Sequence, residues 1–207
     1  MLIQVIMKVS FLLLILMLCC WFAVQAQAKT NVYTVKYKGD DVGTVQLTQS
    51  IYGDSIHYTM TSDVKTRFIF SIRVKSFEES SFKNGRLIYS AVNRTVNGDE
   101  KLRKQTKAGN KNYTLSGDGK QVILQNESIG YNLMRMYCLE PVNIAHVYSD
   151  AYQQFLTIKR VKAHTYKVQL PDGNYNYYNY TNGVCSKVEV FNPLYNMELV
   201  LRQQGTK

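Results

Sequence analysis

Apolar and polar residues alternate with a period of two along most of the chain from Val32 onward. Such alternation is typical of strands that have one buried side and one solvent-facing side. Clusters of Gly, Asn and Asp separate the runs, among them Asn84-Gly85, Asn97-Gly98 and Asn182-Gly183. Asn-Gly is the strongest short hairpin signal, because both residues tolerate positive φ. The pattern therefore predicts consecutive antiparallel hairpins without room for crossover helices.

An all-β fold follows, built as an antiparallel meander of about ten strands. Such a meander can form a curled sheet, a half-open barrel, a closed barrel or a sandwich. Only residues 128–140 break the alternation, with Ile129, Leu133 and Met136 at roughly helical spacing before Pro141. We expect one short helix or lid there. Because this segment lies between two blocks of strands, where it could cover a concave side, the curled sheet or barrel is favoured over the sandwich.

The N-terminal 28 residues have the parts of a secretory signal peptide. Lys8 provides a positive charge, residues 9–21 are apolar apart from Ser10, and Ala26-Gln27-Ala28 is a small-x-small cleavage site. An uncleaved membrane anchor is the alternative, but the apolar run is shorter than the roughly 20 residues of a spanning helix. We therefore expect cleavage of residues 1–28 and export of residues 29–207 as a single β domain, periplasmic or secreted and without a spanning segment.

The net positive charge of the mature chain favours anionic partners. Lys8 is the one charged residue of the signal, so 24 Lys and Arg residues face 15 Asp and Glu residues in the mature chain. A basic surface favours lipid headgroups or acidic glycans. Export makes nucleic acid the least expected anion. The alternative is that the scattered charge only keeps the protein soluble. We expect a lipid or an anionic glycan as partner and no nucleic acid; the oligomeric state stays open.

Catalytic and metal-binding patterns are missing from the sequence. His57, His146 and His164 are far apart and follow no nucleophile motif, although His146 lies close to Asp150 along the chain. Ligand spacing for a metal is also missing, so we expect no metal and no other cofactor. These observations favour a non-catalytic domain over a hydrolase.

The adjacent carboxylates of Glu78 and Glu79 also fail to suggest an active site. Neighbouring residues of a strand point to opposite faces of the sheet. The two side chains are therefore not expected to act together as an acid and a base.

A ligand cavity has seven candidate lining residues, taken from two strands and the expected lid. Flexible Met side chains in the lid could adapt to a guest, and an interior left partly open would accept an elongated apolar or amphipathic molecule such as a lipid. The alternative is a fully packed core. A lipocalin-like carrier is thus the second functional hypothesis. The candidates are Phe68, Phe70, Ile72, Met134, Met136, Tyr166 and Val168.

Four tyrosines crowd into one predicted strand, interleaved with asparagines. Flat rings beside amide groups are suited to stacking on sugar rings, so Tyr175, Tyr177, Tyr178 and Tyr180 are candidates for contacting a glycan. The alternative is ordinary β-propensity, since Tyr is favoured in strands.

Two cysteines remain in the mature chain, Cys138 and Cys185. An oxidising compartment permits a disulfide between them. We expect this bond if residues 128–140 fold back against the strand predicted at 184–191. Two separate buried thiols are the alternative.

Several short patterns resemble a family of exported all-β proteins of Bacteroidetes-type bacteria that has no assigned function. The resemblance spans most of the mature chain, and it implies a periplasmic or outer-surface domain without assigned catalytic residues. The leading hypothesis is therefore an exported, non-catalytic envelope-associated or binding domain. The patterns are Tyr33-Thr34-Val35-Lys36-Tyr37 with Val42-Gly43-Thr44, Tyr137-x-Leu139-Glu140-Pro141, Leu170-Pro171-Asp172-Gly173, and Tyr178-x-Tyr180-x-Asn182-Gly183.

Overall fold

The computed structural model describes residues 27–67, 71–125, 127–193 and 195–206. Within these ranges the chain forms fourteen strands and a single 3-10 turn at Arg135–Tyr137. The all-β prediction is confirmed, with more strands than expected. The strands are β1 (Gln27–Tyr37), β2 (Asp40–Tyr52), β3 (Ser55–Arg67), β4 (Ser71–Lys83), β5 (Arg86–Val96), β6 (Asp99–Ala108), β7 (Asn112–Gly117), β8 (Lys120–Gln125), β9 (His146–Ser149), β10 (Gln154–Lys162), β11 (Thr165–Gln169), β12 (Tyr175–Thr181), β13 (Val184–Asn192) and β14 (Tyr195–Thr206).

All strands belong to a single antiparallel sheet with the order β8-β7-β6-β5-β4-β3-β2-β1-β14-β13-β12-β11-β10-β9. Neighbours in the sheet are also neighbours along the chain, except that β1 pairs with β14 in the middle. One continuous sheet excludes the sandwich. Because β8 and β9 are both edges, the sheet is not closed into a barrel.

Tight turns join most of the strands, as the Gly and Asn clusters predicted. Asn84 and Gly85 have φ angles of 49° and 76°, and Asn97 and Gly98 have φ angles of 54° and 97°. Two successive positive φ values define the type I′ turn, whose twist matches that of antiparallel strands. The local sequence therefore determines where these hairpins turn.

The sheet curls until the region around β9 reaches the inner side of β6 and β7. The hydroxyl groups of Thr106 in β6 and Tyr148 in β9 lie 2.9 Å apart. Gln153, in the turn after β9, donates from Nε2 to the carbonyl oxygen of Gln105 at 2.9 Å and to that of Ser116 at 3.3 Å. The fold is thus a half-open barrel.

Residues 127–145, which we call the inner segment, fill the concave side of this curled sheet. Ile129 and Met136 are fully buried, together with most of their large neighbours. The backbone of the segment bonds to the strands: Leu87 N donates to Ile129 O at 2.8 Å, and the Tyr180 hydroxyl donates to Met136 O at 2.7 Å. These bonds replace the intrahelical ones, so the predicted helix is limited to one 3-10 turn. The expected lid is therefore part of the core.

In the part of the chain described, no helix combines the length and the apolar character that crossing a bilayer requires.

The structure explains the glycine in the pattern Val42-Gly43-Thr44, which lies in β2. A Cβ atom placed on Gly43 would lie 2.2 Å from the carbonyl oxygen of Asp63 and 2.7 Å from Cα of Val64. Both atoms belong to the backbone of the neighbouring strand β3, which cannot move away without disturbing the pairing. Only glycine permits the two strands to approach this closely.

Candidate functional site

A cavity of about 500 Å³ opens between the inner segment and the inner face of the sheet. Its walls come from the inner segment, from β3, β4, β5, β6, β9, β12, β13 and β14, and from the turns after β9 and after β11. One part of the lining is apolar and includes Met60, Leu133, Met134, Leu170 and Val190. The other part is polar and includes Glu78, Arg94, Ser149, Asp150 and Asn176.

Two larger depressions, of about 710 Å³ and 660 Å³, each share a few lining residues with this cavity. They are open grooves: about half of the residues that line the first are exposed, Lys101 and Lys120 among them, and most of those that line the second are half-buried. The smaller cavity is the stronger candidate site because it contains buried ionisable groups.

Asp150 is the central polar residue of the cavity and is 5% exposed. Asn132 of the inner segment donates from Nδ2 to Oδ2 of Asp150 at 2.8 Å. Among the described residues Oδ1 has no hydrogen-bond partner. Burial raises the pKa of Asp150 to about 7, and the charge of Glu78 acts in the same direction. The carboxyl group is therefore poised between its neutral and charged forms near neutral pH.

Glu78 in β4 is the second carboxylate of the cavity. It lies on the same face of the strand as the buried Ser80 and Phe82, while Glu79 points to the outer face. Burial raises the pKa of Glu78, although Arg94, whose Nη2 lies 3.7 Å from Oε1 of Glu78, acts to lower it. The sequence correctly separated Glu78 from Glu79 but did not indicate that Asp150 lies near Glu78.

Asn176 of β12 adds a second acceptor without a partner. Its Oδ1 atom is buried and receives no hydrogen bond within the described ranges. Buried polar atoms are normally paired, so each exception needs an explanation. Asp150 Oδ1 and Asn176 Oδ1 belong to residues that line one cavity, and together they are suited to a ligand that donates hydrogen bonds.

The structure places the seven predicted cavity-lining residues in different surroundings. Met134 lines the cavity, and its sulfur accepts a hydrogen bond of 3.7 Å from Ser80 Oγ. Met136, Tyr166 and Val168 are 0%, 3% and 0% exposed, so they belong to the packed core. Ile72 is half-buried in β4, outside the residues that line the cavity. Phe68 and Phe70 lie outside the described residues.

The four clustered tyrosines do not form one surface, because the period of two divides them between the faces of β12. Tyr178 and Tyr180 are buried on the inner face, at 2% and 6% exposure. Tyr175 and Tyr177 lie on the outer face beside Phe191, with ring centroids 4.9 Å and 5.6 Å from that of Phe191. A glycan on the outside of the protein could therefore stack on Tyr175 and Tyr177 alone.

Cys138 and Cys185 are free thiols in the structure. The inner segment does fold back against β13, since the Tyr33 hydroxyl donates to the carbonyl oxygens of Tyr137 at 3.3 Å and of Cys185 at 2.9 Å. The inner segment therefore lies against β13, as the predicted disulfide requires, but the structure has the alternative of two separate thiols. Burial raises the pKa of both thiols, that of Cys138 to about 12.

The three histidines lie apart from the cavity. His146 is exposed whereas Asp150 is buried, so these two do not form the pair that their spacing suggested. His57 shares a hydrogen bond of 2.8 Å with Ser81 on the outer face of the sheet, and His164 lies 3.1 Å from Glu140. Across the described ranges, no group of three His, Cys, Asp or Glu side chains is arranged to hold a metal ion.

Comparison with known proteins supplies a family and a fold. The family model for a domain of unknown function, DUF6134, matches residues 33–202. The crystal structure of a beta-barrel-like protein of domain of unknown function DUF1849 from Brucella abortus is similar, with 8% sequence identity and a TM-score of 0.56. The alignment covers 89% of this chain and 99% of that chain, and at this identity the likeness concerns the fold alone. No curated protein matches the chain.

Proposed function

This chain belongs to the DUF6134 family of domains of unknown function, and we propose that it is an exported, non-catalytic domain that binds a small amphipathic molecule in the cavity beside the inner segment. The observation that carries the proposal is the presence, on Asp150 and Asn176, of two buried acceptors that have no partner in the described part of the chain and that belong to residues lining one cavity. Leaving them unpaired costs free energy that a ligand could recover.

The size and lining of the cavity support a small amphipathic ligand over an elongated lipid. Its volume of about 500 Å³ lies within the range of roughly 300 to 1,000 Å³ that is usual for small-molecule sites. The inner segment, including Met136, already occupies the rest of the concave side. The carrier hypothesis is therefore narrowed to a compact ligand that has an apolar body and a polar group.

Closing the cavity tests this function. Ala151 lines the cavity in the turn after β9, whereas Ala163 is exposed in the turn between β10 and β11. We expect native mass spectrometry of the protein recovered from its host to show a bound small molecule. Ala151→Trp should abolish the bound species and the matched control Ala163→Trp should retain it. Recovery of the unmodified protein without any bound molecule, under conditions that preserve non-covalent complexes, would count against the proposal.

Export is the second part of the proposal, and it rests on the signal-peptide pattern of residues 1–28. The first 26 of these residues lie outside the described part of the chain. We expect the intact mass of the protein from its native host to correspond to a chain beginning at Lys29. A mass that retains residues 1–28 would contradict cleavage.

The outer aromatic patch, defined as Tyr175, Tyr177 and Phe191, is a second candidate site, suited to an anionic glycan. Lys167 places its Nζ atom 4.0 Å from the ring centroid of Tyr175, so a cation accompanies the stacked rings. We expect alginate, a polyanionic polysaccharide, to bind the protein and to bind Tyr177→Ala at least several-fold more weakly. Tyr52→Ala, which alters a tyrosine that is 55% exposed on another strand, is the control. Equal binding by both variants would remove this candidate.

A further inference from the structure

Some charged side chains around the cavity form ion pairs, and Asp150 does not form one with any described residue. Arg94 faces Glu78 at 3.7 Å, and Lys101 places Nζ 3.5 Å from Asp99, which does not line the cavity. No Lys, Arg or His side chain of the described residues forms an ion pair with Asp150. Among the described residues, the most buried carboxylate of the cavity thus lacks a cationic partner. Asp172 also lines the cavity without an ion pair, but it is exposed and accepts a hydrogen bond from the Tyr152 hydroxyl.

Hydrogen bonding points in the same direction. Asn132 satisfies Oδ2 of Asp150, while Oδ1 of Asp150 and Oδ1 of Asn176 have no donor among the described residues. The Ser90 hydroxyl lies close enough to Asp150 to lower the pKa of that carboxyl group, but within the described ranges its Oγ atom completes no hydrogen bond. An ammonium group carries three donors and no acceptor, whereas an alcohol carries one donor. Two buried acceptors on residues that line one cavity, one of them a carboxylate, are therefore better matched by an ammonium group than by a hydroxyl.

Burial increases the advantage of a charged partner. A charge removed from water is costly unless it is paired and hydrogen-bonded, and pairing is worth more at low local dielectric. The apolar lining of Met60, Leu133 and Met134 offers contact to the organic part of such a ligand. The ring of Tyr178, which also lines the cavity, can attract a cation through its π face.

We propose that the ligand of this cavity is an organic ammonium compound whose positive charge is held by the carboxylate of Asp150. This proposal rests on the proposed function, because it names the chemical class that the binding cavity accepts. Asn176 contributes the second hydrogen bond. The apolar walls accept an organic group that ranges in size from a few carbon atoms to one aromatic ring.

The test compares two probes of the same shape. Phenethylamine carries an ammonium group at neutral pH, and 2-phenylethanol carries a hydroxyl group at the same place. Isothermal titration calorimetry with the purified protein at pH 8 should show saturable binding of phenethylamine and at least tenfold weaker binding of 2-phenylethanol. Asp150→Asn should raise the Kd for phenethylamine about 10- to 100-fold, as the loss of a charged hydrogen bond predicts.

Matched variants separate the site from general effects of charge. Glu79→Gln removes the same charge from the outer face of β4 and should leave the Kd unchanged. Asn176→Leu, which keeps the size of the side chain, should weaken binding several-fold and provides an independent result if Asp150→Asn fails to fold.

Three outcomes would overturn the inference, with different consequences. Equal affinity for phenethylamine and 2-phenylethanol would exclude the ammonium preference and leave the proposed binding function intact. Unchanged phenethylamine binding in both the Asp150 and the Asn176 variants would place the amine elsewhere. No saturable binding of either probe would overturn the inference, and the comparison of Ala151→Trp with Ala163→Trp would then decide the binding function separately.

Discussion

Asn132 donates a hydrogen bond of 2.8 Å from Nδ2 to Oδ2 of Asp150, and this contact fixes the inner segment to the turn that follows β9. The parallel bridge between Asn132 and Tyr148 holds the two stretches of backbone together at the same point. The Asn132–Asp150 contact therefore has two roles. It positions the buried carboxylate in the cavity, and it holds the inner segment inside the half-open barrel.

Asp150 should make the protein less stable as the pH rises. Its pKa is about 7 in the folded protein, against 3.8 for an ordinary aspartate, so between about pH 4 and pH 7 the folded state holds more protons than the unfolded state. The free energy of unfolding should then fall across this range, by up to about 4 kcal/mol, and level off above it. The other charged residues that line the cavity are Glu78, Arg94, Lys101 and Asp172. Of these, Glu78 acts on Asp150, and the raised pKa of Glu78 adds a decline of the same sign.

Asp150→Asn should remove most of this decline and stabilise the protein at pH 8. Urea unfolding at pH 5, 7 and 9 measures the effect. Asp118→Asn, which changes an exposed aspartate in the turn between β7 and β8, should leave the decline in place. Parallel pH profiles for the unmodified protein and Asp150→Asn would show that Asp150 titrates as an ordinary carboxyl group.

Tyr33→Phe should destabilise the protein by about 1 to 3 kcal/mol, because it removes a buried hydroxyl that donates to the carbonyl oxygens of Tyr137 and Cys185. The ring would remain and keep its edge-to-face contact with Tyr137, at 5.4 Å between centroids. Denaturant unfolding measures the change. Tyr52→Phe, at a side chain that is 55% exposed, should have almost no effect. Equal stability of both variants would mean that the Tyr33 hydroxyl does not hold the inner segment to β13.

Gly43→Ala should destabilise the protein by about 1 to 3 kcal/mol or prevent folding, because its Cβ atom would overlap the backbone of β3 at Asp63. Gly205→Ala is the matched control, since a Cβ atom at Gly205 in β14 would have no heavy atom of the described residues within 4 Å. Thermal unfolding of both variants provides the comparison. A Gly43→Ala protein as stable as the control would contradict the close approach of β2 and β3.

The thiols of Cys138 and Cys185 should react slowly in the native protein. Both are free, and burial raises the pKa of Cys138 to about 12 and that of Cys185 as well, which keeps the reactive thiolate scarce. Titration with a chromogenic disulfide reagent should detect two thiols promptly in urea and far fewer without it. If the non-reduced, denatured protein has no reactive thiol, the two cysteines are joined in a disulfide after all.

The strands and the hairpins follow from the amino-acid sequence alone, because both depend on local chemistry. The period of two places each side chain on one face, and Asn-Gly pairs such as Asn84-Gly85 adopt the positive φ values that a tight turn needs. The same period assigns Tyr178 and Tyr180 to the face opposite Tyr175 and Tyr177, so the division of the four tyrosines could also have been deduced from the sequence.

The residues that meet on the concave side are brought together by the tertiary fold. Glu78, Asp150 and Asn176 come from three distant parts of the chain, and they line one cavity because the sheet curls and residues 127–145 enter its interior. No local pattern marks Asp150 as buried, since a lone aspartate after a short strand is ordinarily exposed. Its raised pKa results from desolvation by residues far away in the sequence, and such desolvation exists only after the fold has closed around it.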